Sequence, residues 1–321
     1  MAGEFYRYYT SLTGGEKVIV LKEVSKTLQG KKILNSISFH ILPNESVGVI
    51  GLNGAGKTTL LNVMAGLLKA DSGFLCMDGA RMLLEEKEKL KGVSYVSGIK
   101  SQLWEDIRIR DSFSHCGRMY GLSEEEVKER LDKLNEIFEM QDFLEALPKS
   151  LALGERMRCE LVYALLTNPR ILMLDEAMIG LDVSMKYRIE EYFRKIKAKK
   201  TMTIIYTSHN LAEVERICDR ILLIDKGKIL FDGTIERLLR EYAPLYRMEM
   251  IVENQGLPDF EDLPVEKIYL DNRKIGIVYD KQKIDSASIL SHVLEQYKIL
   301  DVKIFEPDLE STIKKLYERD V

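Results

Sequence analysis

Only four cysteines occur among 321 residues, with no CxxC pair and no histidines beside them at metal-ligand spacing. That excludes a structural zinc site and a disulfide framework. Cys76, Cys116, Cys159 and Cys218 are expected to be buried thiols in a reducing compartment. No apolar run approaches the roughly 18 residues of a membrane-spanning helix. The opening stretch MAGEFYRYYTSLTGGEK lacks the charged-then-apolar order of a secretory signal. An excess of positive charge is also missing: 47 Lys plus Arg against 51 Asp plus Glu leave a net charge of −4. Whole-surface attraction to nucleic acid or anionic lipid is therefore not expected. Internal repeats and low-complexity segments are absent. What is present, 45% hydrophobic and 31% charged residues at a mean hydropathy of -0.14, suffices for ordinary cores. The chain reads as soluble and unexported, with a length suited to about two domains.

Residues 1–17 form a polar, aromatic-containing leader. From Val18 to about Tyr242, short aliphatic or β-branched runs alternate with amphipathic helical stretches, the pattern of a mostly parallel sheet covered by helices in an α/β domain. Val18–Leu21 reads as the first strand. Ser46–Ile50, Ile171–Leu174, Thr203–Tyr206 and Ile221–Ile224 read as buried strands. Strands disappear between about 100 and 166. There, Ser123 followed by Glu126 marks a capped helix start, and Val127, Leu131, Leu134, Ile137 and Phe138 share one face. Beyond 242 the texture changes, and residues 243–321 are expected to form a small α+β accessory domain. Its strands are placed at Tyr246–Val252, Val265–Leu270, Lys274–Tyr279 and Leu300–Phe305, and its helices at Ile284–Tyr297 and Asp308–Glu318. Leu257-Pro258 and Leu263-Pro264 punctuate its first loop.

The strongest local signal is Gly51-Leu52-Asn53-Gly54-Ala55-Gly56-Lys57-Thr58-Thr59, a full match to GxxxxGK[ST] between a strand and a helix expected over Lys57–Leu68. Glycines let successive backbone N–H groups turn inward around phosphate oxygens, and the helix N-terminus adds partial positive charge. Lys57 is placed to reach the β- and γ-phosphates, and Thr58 to offer its hydroxyl to Mg2+. A second acidic site follows the run Ile171–Leu174: Asp175 is placed to hold the magnesium and Glu176 to polarise the attacking water. ATP with Mg2+ is the expected ligand pair.

Taken in order over about Val18 to Tyr242, these features resemble the nucleotide-binding subunit of ATP-binding-cassette (ABC) transporters, a P-loop NTPase fold. A helical insert lies between the two motifs. Leu151-Ala152-Leu153-Gly154-Glu155, continuing Arg156-Met157-Arg158, is similar to the LSGGQ-type signature. Gly180-Leu181-Asp182 matches the D-loop, and His209 after Thr207-Ser208 matches the switch histidine. The resemblance implies that two such ATPase subunits, identical or different, sandwich two ATP molecules between one partner's phosphate loop and the other's signature. His209 would bridge the γ-phosphate and Glu176, and Asp182 would help link the halves. Ser101–Asp106, the Leu151–Arg158 string and the C-terminal unit ending Phe305–Glu310 resemble a bacterial exporter-type group. Members of that group carry a C-terminal extension and work with a separate membrane-embedded permease. That implies an ATPase seated peripherally on the inner face of the cell membrane and no nucleic-acid partner. The C-terminal unit would support dimer contacts or regulation.

Several positions depart from the family pattern. The signature serine is Ala152, which removes a hydroxyl aimed at the γ-phosphate, and Leu153 replaces a glycine. The Q-loop glutamine position falls on Ile99, with Gln102 as the substitute if the loop is shifted. Ala177 stands for the usual proline. Leu28 occupies the adenine-stacking position, with Phe5, Tyr6, Tyr8 and Tyr9 as alternative rings. Trp104 either lines the groove where the permease docks or serves the core. These departures predict slow turnover in a homodimer, or pairing with a second ATPase that has an intact signature. Two further alternatives are a non-transport regulatory ABC ATPase, disfavoured by a single cassette without a basic arm, and a catalytically degenerate, binding-only subunit that clamps ATP structurally for an active partner.

Overall fold

The structure is a computed structural model that describes residues 19–77, 80–81, 92–253, 259–260 and 263–319. The leader, its four aromatic candidates and Leu257-Pro258 lie outside those residues. The chain divides into two units, one ending at Gly233 and the other beginning at Thr234.

In the first unit, β1 (Ile19–Leu28) and β2 (Lys31–Ile41) form an antiparallel hairpin. Gln29 and Gly30 turn it with φ of 49° and 77°, the pair of positive angles that a tight two-residue hairpin turn requires. β4 (Ser72–Met77) and β5 (Ala80–Arg81) extend this sheet in the order β2-β1-β4-β5. The sequence pattern pointed to a mostly parallel sheet and missed this antiparallel layer. The physical reason is visible in β1, which runs well past the expected end at Leu21. Register shifts around Val24, with Glu23 at φ 52°, break the alternation that marks a strand.

The second sheet contains β3 (Ser46–Gly51), β6 (Val93–Ser97), β7 (Ile171–Asp175), β8 (Thr203–Thr207), β9 (Arg220–Asp225) and β10 (Lys228–Thr234). Its order is β10-β9-β3-β8-β7-β6, and the pairs from β6 through β7, β8 and β3 to β9 are parallel. Every residue of β7 and β8 is buried, hence the continuous apolar runs. Leu34 and Ile41 of the hairpin, Val49 of β3, Met173 of β7 and Leu61 and Met64 of the helix α1 (Lys57–Met64) share one core. α1 stops short of the expected Leu68 because Gly66 turns left-handed at φ 69°.

The helical insert comprises α2 (Ile109–Met119), α3 (Glu124–Phe138) and α4 (Leu153–Leu166). The Ser123–Glu126 capping box forms, and Val127, Leu134 and Phe138 are the buried face of α3. α5 (Val183–Lys199) and α6 (Leu211–Ile217) follow outside the insert.

In the second unit, α7 (Ile235–Tyr242) precedes β11 (Leu245–Val252), β12 (Val265–Asp271), β13 (Lys274–Asp280), α8 (Ser286–Gln296), β14 (Ile299–Phe305) and α9 (Leu309–Arg319). The four strands make an antiparallel sheet in the order β12-β13-β11-β14. Alternate residues Met248, Met250, Ile275, Ile277 and Tyr279 point into a core closed by Ile289 and Val293 of α8. This antiparallel unit is additional to the α/β cassette. No helix among the described residues is long and apolar enough to cross a membrane.

Candidate active site

The phosphate loop leaves β3 at Gly51 and enters α1 at Lys57. Its glycines are required for different reasons. A Cβ on Gly51 would stand 2.6 Å from the Ile224 carbonyl oxygen, so close backbone approach excludes any side chain there. Gly54 faces open space but holds φ 79°, and Gly56 holds φ 111° with a Cβ position 3.0 Å from Ile33 O. These are angles that L side chains rarely adopt. Ala55 is buried, Thr59 is half-buried, and Asn53 and Thr58 are exposed at the mouth of the loop. Lys57 is only 6% exposed, and its Nζ donates to Gly51 O at 2.7 Å and Leu52 O at 3.3 Å. Burial lowers its pKa, while the Glu176 and Asp175 carboxylates pull in the opposite direction. All three charges therefore act on one region.

Asp175 ends the buried strand β7 and is itself buried. Its Oδ1 accepts from the Thr207 hydroxyl at 2.6 Å and its Oδ2 from the Tyr95 hydroxyl at 3.2 Å. Burial, with the neighbouring Asp175 charge, pushes the Tyr95 phenol well above its ordinary range, so it stays a donor. Two parallel neighbours of β7 thus aim the carboxylate. The sequence reading did not single out Tyr95 or Thr207. The signal available was a hydroxyl residue on each strand that the order places beside β7. Glu176 follows with φ 56°, an uncommon angle for a non-glycine residue, and its N–H is held by Thr207. That turn carries its carboxylate off the strand line to the His209 ring at the end of β8. His209 Nε2 lies 2.6 Å from Glu176 Oε1. The buried Ala177 takes the place the family pattern gives to proline.

The signature residues open α4. Leu151 is half-buried, Ala152 and Leu153 are exposed, and Ala152 is the N-cap with no side-chain bond. The Glu155 carboxylate accepts from Ala152 N–H at 2.8 Å. Half a capping box survives, and the half that needs a hydroxyl at position 152 is missing. Gly154 packs on the D-loop of its own chain: a Cβ there would meet Gly180 O at 2.5 Å. Gly180 in turn holds φ 79° beneath the Leu153 side chain. Asp182 caps α5, its Oδ1 accepting from Met185 N–H at 2.9 Å. That hydrogen bond is the largest of several influences that hold its carboxyl below the usual range. One oxygen of the proposed linking residue is therefore already occupied within the chain.

The two Q-loop candidates behave differently. Ile99 is 82% exposed just beyond β6, with its N–H facing Ser97 Oγ. The side-chain amide of Gln102 donates to the Tyr95 carbonyl, and its backbone N–H meets the Glu160 carboxylate at 3.1 Å. Gln102 also lines a cavity of about 250 Å³ with Leu67, Tyr95, Cys116, Tyr120 and Tyr163. Trp104 is half-exposed and packs on the His115 ring at 4.6 Å, so it is no core residue. Leu28 sits at the end of β1, 38% exposed.

A loop in which Gly54 and Gly56 hold left-handed angles, with a buried lysine at its base, fits a nucleotide triphosphate tail. The oxygen donors Thr58 and Asp175 suit magnesium, which takes one or two protein oxygens and completes its shell with water and phosphate. No group of three or more His, Cys, Asp or Glu residues able to hold a metal occurs among the described residues.

Comparison with known proteins places the chain in a family. The ABC transporter family profile matches residues 34–179. An ABC transporter ATP-binding protein of Bacillus subtilis, YhcH, is 32% identical over 91% of this chain and 93% of its own length. The linearmycin resistance ATP-binding protein LnrL of the same organism is 27% identical over 93% of this chain and 97% of its own. A solved ATP-binding subunit of an ABC transporter superposes with a TM-score of 0.65 at 27% identity, covering 70% of this chain and 93% of that one. Proteins named for import and for export both occur among the relatives. The chain belongs to the ABC transporter ATP-binding subunit family, and its first unit has the P-loop cassette fold.

Proposed function

We propose that this chain is the ATP-hydrolysing subunit of an ABC exporter, seated on the inner membrane face and driving a separate membrane-embedded permease. The observation that carries it is the 2.6 Å contact between His209 and Glu176, beside a buried Asp175 and the Lys57 cradle. Magnesium bound with ATP would neutralise phosphate charge, and Thr58 and Asp175 are the residues that would hold it. Glu176 polarises the attacking water, and His209 orients that carboxylate and reaches toward the γ-phosphate. Gly51 to Thr59 grip the phosphates through backbone N–H groups.

A second subunit supplies the signature Leu151–Glu155 in trans, its helix N-terminus turned toward the γ-phosphate. Closure of the pair is favoured by ATP because only the closed arrangement gains that contact, and hydrolysis removes the gain. The cavity rimmed by Leu67, Gln102 and Tyr120, near the exposed Trp104, is where the permease docks. Export is supported by relatives named Nod factor export ATP-binding protein I, 30% identical over 74% of this chain in one case.

The test is Glu176→Gln: Mg·ATP binding persists, phosphate release stops, and an ATP-dependent dimer accumulates. Hydrolysis at the parent rate would remove Glu176 from its role.

A second reading is favoured by one observation, the bare N-cap at Ala152. There, the chain clamps ATP beside a different ATPase whose signature is intact, and most turnover occurs at the site which that signature completes.

A further inference from the structure

We propose that Glu213 is a positioning residue for the ATPase site, fixing the loop that carries His209 from both sides and tying it to the helix that begins at the D-loop. This rests on the reading of Glu176 and His209 given above. Glu213 lies in the first turn of α6 and is 3% exposed. Its Oε2 accepts from the Tyr206 hydroxyl at 2.6 Å and the Ser208 hydroxyl at 2.7 Å. Its Oε1 accepts from Lys186 Nζ at 2.9 Å and the Asn210 side-chain amide at 3.3 Å. A carboxylate offers about four lone-pair sites, and here each has a donor.

The placement of those donors gives the cluster its meaning. Ser208 and Asn210 flank His209, and Ser208 Oγ also accepts from Asn210 N–H at 3.0 Å. Both sides of the histidine are pinned while the ring itself, 52% exposed, stays free to meet Glu176. The fourth donor, Lys186, stands in the first turn of α5, where its own N–H bonds to Asp182 O at 3.0 Å. A displacement of Gly180–Asp182 therefore reaches the His209 loop through one helical turn and one ion pair. Because Lys186 is 30% exposed and Glu213 is not, the pair can lose its outer member without opening a buried hole. Coupling of this kind is carried by contiguous contacts, and Glu213 joins the ones made by Tyr206, Ser208, Asn210 and Lys186.

The experiment uses the full chain and two variants, Lys186→Met and Glu213→Gln. Steady-state ATPase rate, Mg·ATP affinity by a fluorescent analogue, thermal midpoint and backbone hydrogen exchange are measured for each. Lys186→Met is expected to lower kcat by at least about tenfold with Mg·ATP affinity unchanged, and to lower the thermal midpoint because the buried Glu213 carboxylate loses a donor. It is also expected to speed exchange over 208–210 and not at the phosphate loop. Lys186→Arg restores the parent behaviour, and the double variant is no worse than the worse single one. Parent kcat and parent exchange in Lys186→Met overturn the role of Glu213 while leaving Glu176 and His209 in place. A parent chain that binds Mg·ATP and shows no hydrolysis sensitive to Glu176→Gln or His209→Ala overturns the reading of the site, and the role of Glu213 with it. If Glu213→Gln fails to fold, the Lys186→Met result decides.

Discussion

His209 Nε2 stands 2.6 Å from Glu176 Oε1, at the ends of the neighbouring parallel strands β8 and β7. Parallel strands place their C-terminal ends on one edge, and ligands of open α/β sheets bind there. The contact is thus a consequence of topology: β3, β7 and β8 deliver Gly51, Asp175 and Thr207 to the same edge, and one more residue or two brings the reacting groups. Glu176 leaves the strand at φ 56° and is held by Thr207, so the strain is fixed by a bond to the strand that precedes His209.

Ala152→Ser restores a hydroxyl at the N-cap of α4, where the Glu155 half of the capping box already exists. The variant is expected to gain about 1 kcal/mol of helix stability and to hydrolyse ATP faster as a purified single chain. A rise in thermal midpoint without a rise in rate would show that the signature hydroxyl does not limit turnover.

Gly154→Ala places a methyl group 2.5 Å from the Gly180 carbonyl oxygen. A backbone atom cannot swing aside as the end of a side chain can, so the D-loop must move or the start of α4 must lift. Overpacking of this kind costs roughly 1–3 kcal/mol. The ATPase rate is expected to fall with Mg·ATP affinity intact, because the phosphate loop is not in that contact. Parent rate and parent thermal midpoint together would contradict the joint between signature and D-loop.

Acid should expose the Glu213 cluster. Burial raises the Glu213 carboxyl, but hydrogen bonds from Tyr206, Lys186 and Ser208 outweigh it and hold the group below its ordinary value. A carboxyl lowered in the folded state adds stability that is full above its unfolded value, about 4.3, and is lost as pH falls through the folded one. Glu213→Gln should therefore melt below the parent at pH 7, and the gap should narrow as the pH drops below about 4. A gap independent of pH would mean that the charge contributes nothing.

The parts of this molecule legible from sequence are those where chemistry dictates residue type locally. Gly51, Gly54 and Gly56 are legible because a phosphate-binding turn demands glycine, Gly51 for close backbone approach to Ile224 and the other two for left-handed angles. Asp175 and Glu176 are legible because acids end an apolar run. The C-terminal strands are legible because buried Met248, Met250 and Val252 alternate with the less buried Arg247, Glu249 and Ile251. The antiparallel sheet was not, since β1 pairs with β4 across a long stretch, Ile19 against Met77, and is bulged in its middle. Glu213 was missed for a similar reason. An acid in the first turn of a helix reads as a solvated charge, and only the packing of α5 against α6 reveals it as buried. Gln102 illustrates the limit of register arguments: its amide is engaged by Tyr95 O, which no spacing rule reports.

The most direct test of the central claim is the affinity of a Lys57→Ala chain for Mg·ATP. Lys57 is the buried cation at the base of the cradle, and the charge-assisted contact it makes with phosphate is worth about 1.5–3 kcal/mol. The account predicts a loss of roughly ten- to a hundredfold in affinity, with the thermal midpoint close to that of the parent. Binding at full parent affinity would contradict it.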